Sequence, residues 1–299
     1  MEIPLITVFT PSYNRKKTLP ALYRSLCNQS CFNFEWMIVD DGSQDGTDIL
    51  IQSYIDSNPP FQIHYIWKEN GGKASAINLG VSKIQSEFIY FMDSDDYLPS
   101  NAIKEVIPYL EDIRKNDNIL GVTGMRIHKD GTPIGSLIPN TPFETNSLDF
   151  RVRYKARGDY AEIVKTNVIR YYPFPIFKGE KFCTEALVFN RMAQVYKSRY
   201  INCPLRVTEY LSGGLTDSYV SIMQQSPNSS LLYYKELFYY PVPIIEKLGA
   251  LYHYWNFYRN TNKSFLEDEV LPTLLMRFCF LVIYPAKWVY KKIKLFHGK

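Results

Sequence analysis

The sequence predicts an α/β fold, with a mostly parallel, Rossmann-like central sheet flanked by helices and a helical C-terminal extension. Two observations carry this. Short, unbroken apolar runs alternate with stretches of helical periodicity over roughly the first 115 residues, and unbroken runs mark strands buried on both faces. A polar motif follows nearly every run. In a parallel sheet such motifs collect at the carboxyl ends of the strands, where these sheets bind ligands.

The elements follow in order. LITVFTP (5–11) is a β-branched run closed by Pro, and reads as a buried strand. Thr18 can cap a helix with Leu19, Leu22 and Leu26 on one face, and Pro20 is tolerated in its first turn. FEWMIVDDGS (34–43) is a second strand ending in a turn. Asp45 or Thr47 then starts a helix with Ile49, Leu50 and Tyr54 inward. IHYIW (63–67) is a third strand, with His64 a packed strand residue rather than a ligand. Gly71-Gly72 turns into a small-residue helix, KASAINLGVSKI (73–84). FIYFMD (88–93) is a fourth strand, before a helix from about Ser100 to Arg114. Beyond it, GVTGMRIHKDGTPIG folds as a hairpin around Lys129-Asp130-Gly131. Residues 139–182, with Pro at 139, 142, 173 and 175, read as loop-rich. From about Ser218 the chain is helical, aromatic and rich in Lys. The expected division is a nucleotide-binding and catalytic domain over 1–217 and an extension over 218–299.

Bulk properties exclude some classes. With 46% hydrophobic and 21% charged residues, the 299-residue chain is globular rather than disordered. A net charge of +4 is too weak for a nucleic-acid binder, whose basic stripe would cross the domain. The five Cys form no metal-ligand set, and free thiols in a reducing cytoplasm are expected. The N-terminus has no signal-peptide pattern, and no stretch offers about 20 uninterrupted apolar residues.

The motifs each allow a functional and a plain structural reading. In DSDD (93–96), Asp93 and Asp95 lie two residues apart at a strand end and can share one hard cation with phosphate oxygens. The same acids also suit the start of the following helix. TPSYN (10–14) puts Tyr13 where it can stack on a base or simply face solvent. The carboxylates of VDDGSQDGT (39–47) can accept a pyrimidine N–H, and the DG turn can equally lead into a capped helix. ENGGKASAINLG (69–80) pairs a Gly-Gly turn with Lys73 at a helix start, which suits an anion. The GxxxxGK[ST] phosphate loop is absent. Glu180 and Glu185 in GEKFCTEAL (179–187) lie among apolar groups that can raise a carboxyl into the range of a base. EYLSGGLTDS (209–218) is either a phosphate-closing loop or a linker.

FTPSYNR, FEWMIVDDGSQDGT, NGGKASAINLG and YFMDSDDYL, in this order and spacing, resemble the nucleotide-sugar-binding half of family 2 glycosyltransferases with the GT-A fold. GDYAEIVKTNVIRYYPFPIFKGEKFCTEALVFNR, followed by EYLSGGLT, resembles a bacterial branch that builds surface polysaccharides. The resemblance spans about residues 3–217. It implies a hexosyltransferase that inverts the anomeric carbon, a nucleotide-sugar donor, by family habit a UDP-sugar, and a saccharide or lipid-linked saccharide acceptor. Tyr13 would flank the base, and Asp41, with Asp40 beside it, would bond the pyrimidine edge. Thr10, Pro11, Asn70 and Ser94 would join the donor contacts, and Lys73 would sit by the nucleotide. Asp93 would face the ribose or the metal, and Asp95 would hold the metal, manganese (Mn2+) or magnesium (Mg2+). Asp96 would cap the following turn. Glu185 matches the acceptor-activating acid. It is followed by Ala186, where many relatives have Asp, and Glu180 is its backup.

LLMRFCFLVIYPAKWVYKKIKLFHGK (274–299) mixes aromatics and Leu with Lys and has no acid, the composition of a segment lying on an anionic membrane surface. Peripheral contact through residues 271–299, at the inner face of the cell membrane, is expected. The competing reading is a docked helix with a basic tail. A nucleotidyltransferase would want a Gly-rich GxGxR-like loop after the first strand, which TPSYNR lacks. A non-catalytic nucleotide-sugar-binding protein would not need an intact DSDD and Glu185.

Overall fold

In a computed structural model of the chain, the residues described are 3–138, 140–209 and 215–281. They form two compact units, Met1–Ile176 with Val188–Ser218, and Phe177–Leu187 with Tyr219–Lys299. Assigning Phe177–Leu187 to the second unit is a division that no single boundary along the chain can express.

The first unit is built on eight strands, β1 (Ile6–Ser12), β2 (Phe34–Asp40), β3 (Ile63–Trp67), β4 (Phe88–Phe91), β5 (Ile119–Ile127), β6 (Phe143–Thr145), β7 (Tyr160–Lys165) and β8 (Lys197–Val207). Their order is β3-β2-β1-β4-β7-β5-β8-β6. The pairs β1–β2, β2–β3, β1–β4 and β5–β8 are parallel, and β7 runs antiparallel between β4 and β5. The mostly parallel sheet flanked by helices expected from the sequence is thus present, and its antiparallel strands make it mixed. The helices are α1 (Leu19–Cys27), α2 (Thr47–Asp56), α3 (Lys73–Lys83), α4 (Ala102–Ile113), α5 (Ser147–Val152), α6 (Thr166–Ile169) and, from Val188 onward, α7 (Glu185–Met192).

Alternation along β1 decides which residues make the core. Ile6 and Val8 join Leu19, Leu22 and Leu26 of α1 and Val106 and Leu110 of α4 in one apolar cluster with Trp36 and Tyr90. Phe9 points to the other face, where Gly80 of α3 lets the helix approach its ring; a Cβ there would lie 2.2 Å from Phe9 Cε2. In α2 the inward residues are Thr47, Ile51 and Tyr54. Ile49, expected inward, is 70% exposed, because the helix is phased by the contacts of Ile51 and Tyr54. Three strands lie where the sequence reads as loop or ambiguous chain: β6, β7, and β8 with its internal Pro204. The Lys129-Asp130-Gly131 reversal is present, closed by a hydrogen bond from His128 N to Thr132 O at 2.8 Å.

The second unit contains α8 (Leu215–Gln225) from Tyr219 onward, α9 (Pro227–Tyr239) and α10 (Ile244–Asn260). Rings of α9 and α10 stack, Tyr234 on His253 at 5.2 Å and on Phe257 at 5.8 Å. Tyr254 is buried and donates to the Val270 carbonyl at 2.6 Å. No described helix is long and apolar enough to cross a membrane. Residues 210–214 of the EYLSGGLTDS motif, and residues 282–299 of the basic tail, lie outside the described residues.

Candidate active site

β1, β2 and β4 end side by side, so TPSYN, DDGS and DSDD share one edge of the sheet, and the loop after β3 brings NGG to the same edge. The first two turns are laced together. Asn14 N donates to Ser43 Oγ at 2.8 Å, and Gln44 N donates to Asn14 Oδ1 at 2.9 Å. Just past β1, Tyr13 is 49% exposed and available for stacking. Pro11 is half-buried beside it. Thr10 points into the core instead, where its hydroxyl accepts the Trp36 indole N–H at 3.0 Å.

Asp40 and Asp41 are both buried. Asp40 accepts from Ser43 N at 2.8 Å and from the Tyr65 hydroxyl at 2.7 Å. Burial and this carboxylate push the Tyr65 phenol upward. Asp41 braces the NGG loop. Its Oδ1 accepts from Lys68 Nζ at 2.6 Å and Gly71 N at 2.9 Å, while Oδ2 accepts from Gly72 N at 2.7 Å and Asn70 Nδ2 at 3.1 Å. A carboxylate offers about four lone-pair sites, and all are engaged. A pyrimidine N–H would therefore have to replace one of these donors at Asp41. Gly42 makes the close approach possible: its φ is +82°, and a Cβ would lie 2.9 Å from Asn70 N.

Lys73, the first residue of α3, reaches across the edge and donates to Asp93 Oδ1 at 2.7 Å. The other oxygen of Asp93 accepts from Arg206 Nη1 at 3.1 Å. Burial alone would raise the Asp93 carboxyl, but Lys73 and Arg206 outweigh it and hold it far below the usual carboxylate range. Ser94 is buried in the turn. Asp95 is half-buried and makes no hydrogen bond or ion pair among the described residues. Asp96 does not cap the next turn. It is buried and faces Arg206 at 3.4 Å and Arg126 at 3.9 Å. Burial pushes its carboxyl up to about 6 against the pull of Arg206.

Arg206, near the end of β8, is the residue that sequence reasoning missed. It is 1% exposed, contacts Asp93 and Asp96, donates to the Phe91 carbonyl, and lies 5.8 Å from the Tyr90 ring centre. Its only local signal is a lone charge inside the apolar run PLRV. Lys68 also went unnoticed, although it directly precedes ENGG.

The chemistry of the donor set fits a hard divalent ion shared with a ligand. Asp93 and Asp95 offer carboxylate oxygens two residues apart, and Mg2+ in particular binds through one or two carboxylates plus phosphate oxygens and water. Among the described residues no group of three His, Cys, Asp or Glu could hold an ion. The described residues alone therefore supply only part of a coordination shell.

The two glutamates lie in the second unit. Glu185 is half-buried and opens α7. Glu180 accepts from Asn228 N at 2.6 Å and Asn228 Nδ2 at 3.0 Å through Oε1, and from Ser229 N at 3.0 Å through Oε2. Both of its oxygens are engaged at the start of α9, which makes Glu180 a poor backup for a base.

The chain is similar to several known proteins. Putative teichuronic acid biosynthesis glycosyltransferase TuaG of Bacillus subtilis is 31% identical over 135 residues, covering 45% of this chain and 52% of that protein. Chondroitin synthase of Pasteurella multocida is 33% identical over 139 residues, covering 46% of this chain and 14% of that protein. The aligned part is thus about half or less of each of these relatives. Among solved structures, Staphylococcus aureus TarS 1–349 in complex with UDP-GlcNAc superposes with a TM-score of 0.59 at 19% identity, covering 85% of this chain and 72% of that one. Mannosyltransferase PcManGT from Pyrobaculum calidifontis, in complex with GDP-Man and Mn2+, does so with a TM-score of 0.56 at 17% identity, covering 98% and 83%. At these identities the likeness is one of fold. The sequence pattern of the family described as Glycosyl transferase family 2 matches residues 7–178, from β1 through all four edge motifs, and the chain belongs to that family.

Proposed function

We propose that the protein transfers a sugar from a nucleotide-sugar, with a UDP-sugar as the donor, to a hydroxyl of a saccharide or lipid-linked saccharide acceptor in surface polysaccharide synthesis. The observation that carries this reading is the meeting of Asp40, Asp41, the NGG loop, Lys73, Asp93 and Asp95 on one sheet edge in a family 2 chain. The UDP-GlcNAc and GDP-Man complexes of the fold neighbours support a nucleoside-diphosphate donor.

Tyr13 stacks on the base, and the loop braced by Asp41 shapes the pocket beside it. Lys73 donates to the diphosphate and offsets the charge that develops as the sugar–phosphate bond breaks. Asp93 and Asp95 would hold a manganese or magnesium ion, which would supply further positive charge at that leaving group. Glu185 takes the proton from the acceptor hydroxyl as its oxygen forms a bond to the anomeric carbon. One displacement of this kind inverts that carbon.

The reaction is tested by release of nucleoside diphosphate from a panel of UDP-, dTDP- and GDP-sugars, with Mn2+ and with EDTA. Metal-dependent release from one donor is expected. Pyrophosphate as the product points to a nucleotidyltransferase, and metal-independent release removes Asp93 and Asp95 from the assigned role. E185Q keeps donor binding and loses turnover by roughly a hundredfold or more, the usual weight of a general base; full turnover in E185Q removes Glu185 as base.

The location is the inner face of the cell membrane. A helical stretch over 274–281 presents Leu274, Leu275, Phe278 and Leu281 to solvent, all more than half exposed, and the chain continues into five Lys without an acid. Pelleting with anionic vesicles tests this, and a chain lacking 271–299 that still pelleted would count against it.

A further inference from the structure

The N-terminus of α9 has an unusual partner. Its first residue is Pro227, which has no N–H, and its N-cap, Ser226, makes no side-chain capping bond. The N–H groups of Asn228 and Ser229 are orphan donors of the first turn, of the kind a local cap normally satisfies. Glu180 fills that place from 48 residues away, with three hydrogen bonds to one carboxylate. The freed hydroxyl of Ser226 works in the opposite sense and accepts the N–H of Phe182 at 3.2 Å. Ser226, Asn228 and Ser229 are all buried, so water does not compete for these bonds. Asn228 Oδ1 in turn accepts from Glu267 N at 2.9 Å, which ties the same point to the chain beyond α10.

The segment fixed in this way leads directly into Glu185. Cys183 and Thr184 between them are buried, and Leu187 N donates to Thr184 O at 3.1 Å as α7 begins. We infer that Glu180 is a positioning residue: it clamps the segment Phe177–Leu187 onto the N-terminus of α9 and thereby sets the place of Glu185. The C-terminal helices then serve the reaction as well as any surface they dock on. The inference rests on Glu185 as the base, as proposed above.

The test compares full-length wild type, E180A and E180Q. Amide hydrogen exchange followed by mass spectrometry reads the positioning directly. Exchange across 181–187 is expected to rise roughly tenfold or more in E180A, as the loss of charge-assisted hydrogen bonds implies. Turnover of the active donor sugar is expected to fall about tenfold or more, while UDP affinity stays within about twofold, since a displaced base harms the chemical step and not donor binding. E180Q, which keeps the shape and one acceptor oxygen, is expected to fall between. A purely structural cap gives a different result: exchange rises in the first turn of α9 alone and turnover is unchanged, which overturns the inference. S226A, which removes only the acceptor for Phe182, gives the same pattern in weaker form and serves if E180A does not fold; unchanged exchange across 181–187 in S226A then overturns the clamp. Failure of the parent reading is separate, because E185Q would then keep its turnover whatever the exchange shows.

Discussion

Replacing Arg206 with Met tests whether the acidic loop is held from beneath by one buried cation. Met keeps most of the stem volume, so little of the loss comes from a cavity. What disappears is the guanidinium that contacts Asp93 at 3.1 Å and Asp96 at 3.4 Å and binds the Phe91 carbonyl. The Asp93 side chain is 33% exposed, so water screens its part of the loss. Asp96 is only 5% exposed and keeps just the more distant Arg126, at 3.9 Å. Breaking a buried pair by removing one partner costs about 3–5 kcal/mol. Partial screening at Asp93 and the remaining Arg126 favour the lower end, about 3 kcal/mol. For a chain of this size each kcal/mol shifts Tm by about 2–4 °C, so R206M should melt about 6–12 °C lower. Calorimetry at pH 7.5 measures it. The double variant R206M/D96N isolates the cause: if the loss comes from a stranded carboxylate, removing that carboxylate recovers part of it, about 1–2 kcal/mol. A Tm for R206M within about 2 °C of wild type, or no recovery in the double variant, would refute the electrostatic account.

Two further outcomes follow from the same edge and its supporting helix. Asp41→Asn turns one carboxylate oxygen, and with it two of the four engaged acceptor sites, into a donor that faces donors, and should cost about 2 kcal/mol and weaken UDP binding about tenfold, measured by chemical denaturation and titration calorimetry. Binding equal to wild type would mean that the NGG loop keeps its shape without the brace. Gly80→Ala forces a methyl against the Phe9 ring and should destabilise by about 1–3 kcal/mol in urea without changing the measured donor preference. A neutral result would show that the ring moves aside freely.

Much of the site was legible because its residues are local to strand ends. A short apolar run followed by DDGS or DSDD reports both the strand and the place where it stops. Leu19, Leu22 and Leu26 likewise report the buried face of α1 through their spacing alone. Elsewhere the pattern misled. Ile49 is apolar but faces solvent, since helix phase is set by the whole set of contacts and not by one residue. β7 and β8 were obscured by charge and Pro: Glu162 and Lys165 interrupt one, and Pro204 and Arg206 the other. Arg206 could not be paired with DSDD from sequence, because nothing local links positions so far apart. Glu180 shows the reverse error. Its nearness to Glu185 in sequence made it a candidate for the same chemistry, whereas its oxygens belong to a helix that begins dozens of residues later.

The distance between Arg206 and its partners bears on how the protein is made. Asp93 lies 113 residues before the arginine that neutralises it. At synthesis rates of about 5–20 residues per second, the ribosome needs roughly 6–23 s to cover that gap. During this interval β1 to β4 can already pair, yet the acidic turn at their edge has no buried counter-charge and β4 lacks its neighbour β7. The acidic turn is therefore made well before the residue that neutralises it, and completes its geometry only once β8 has left the ribosome.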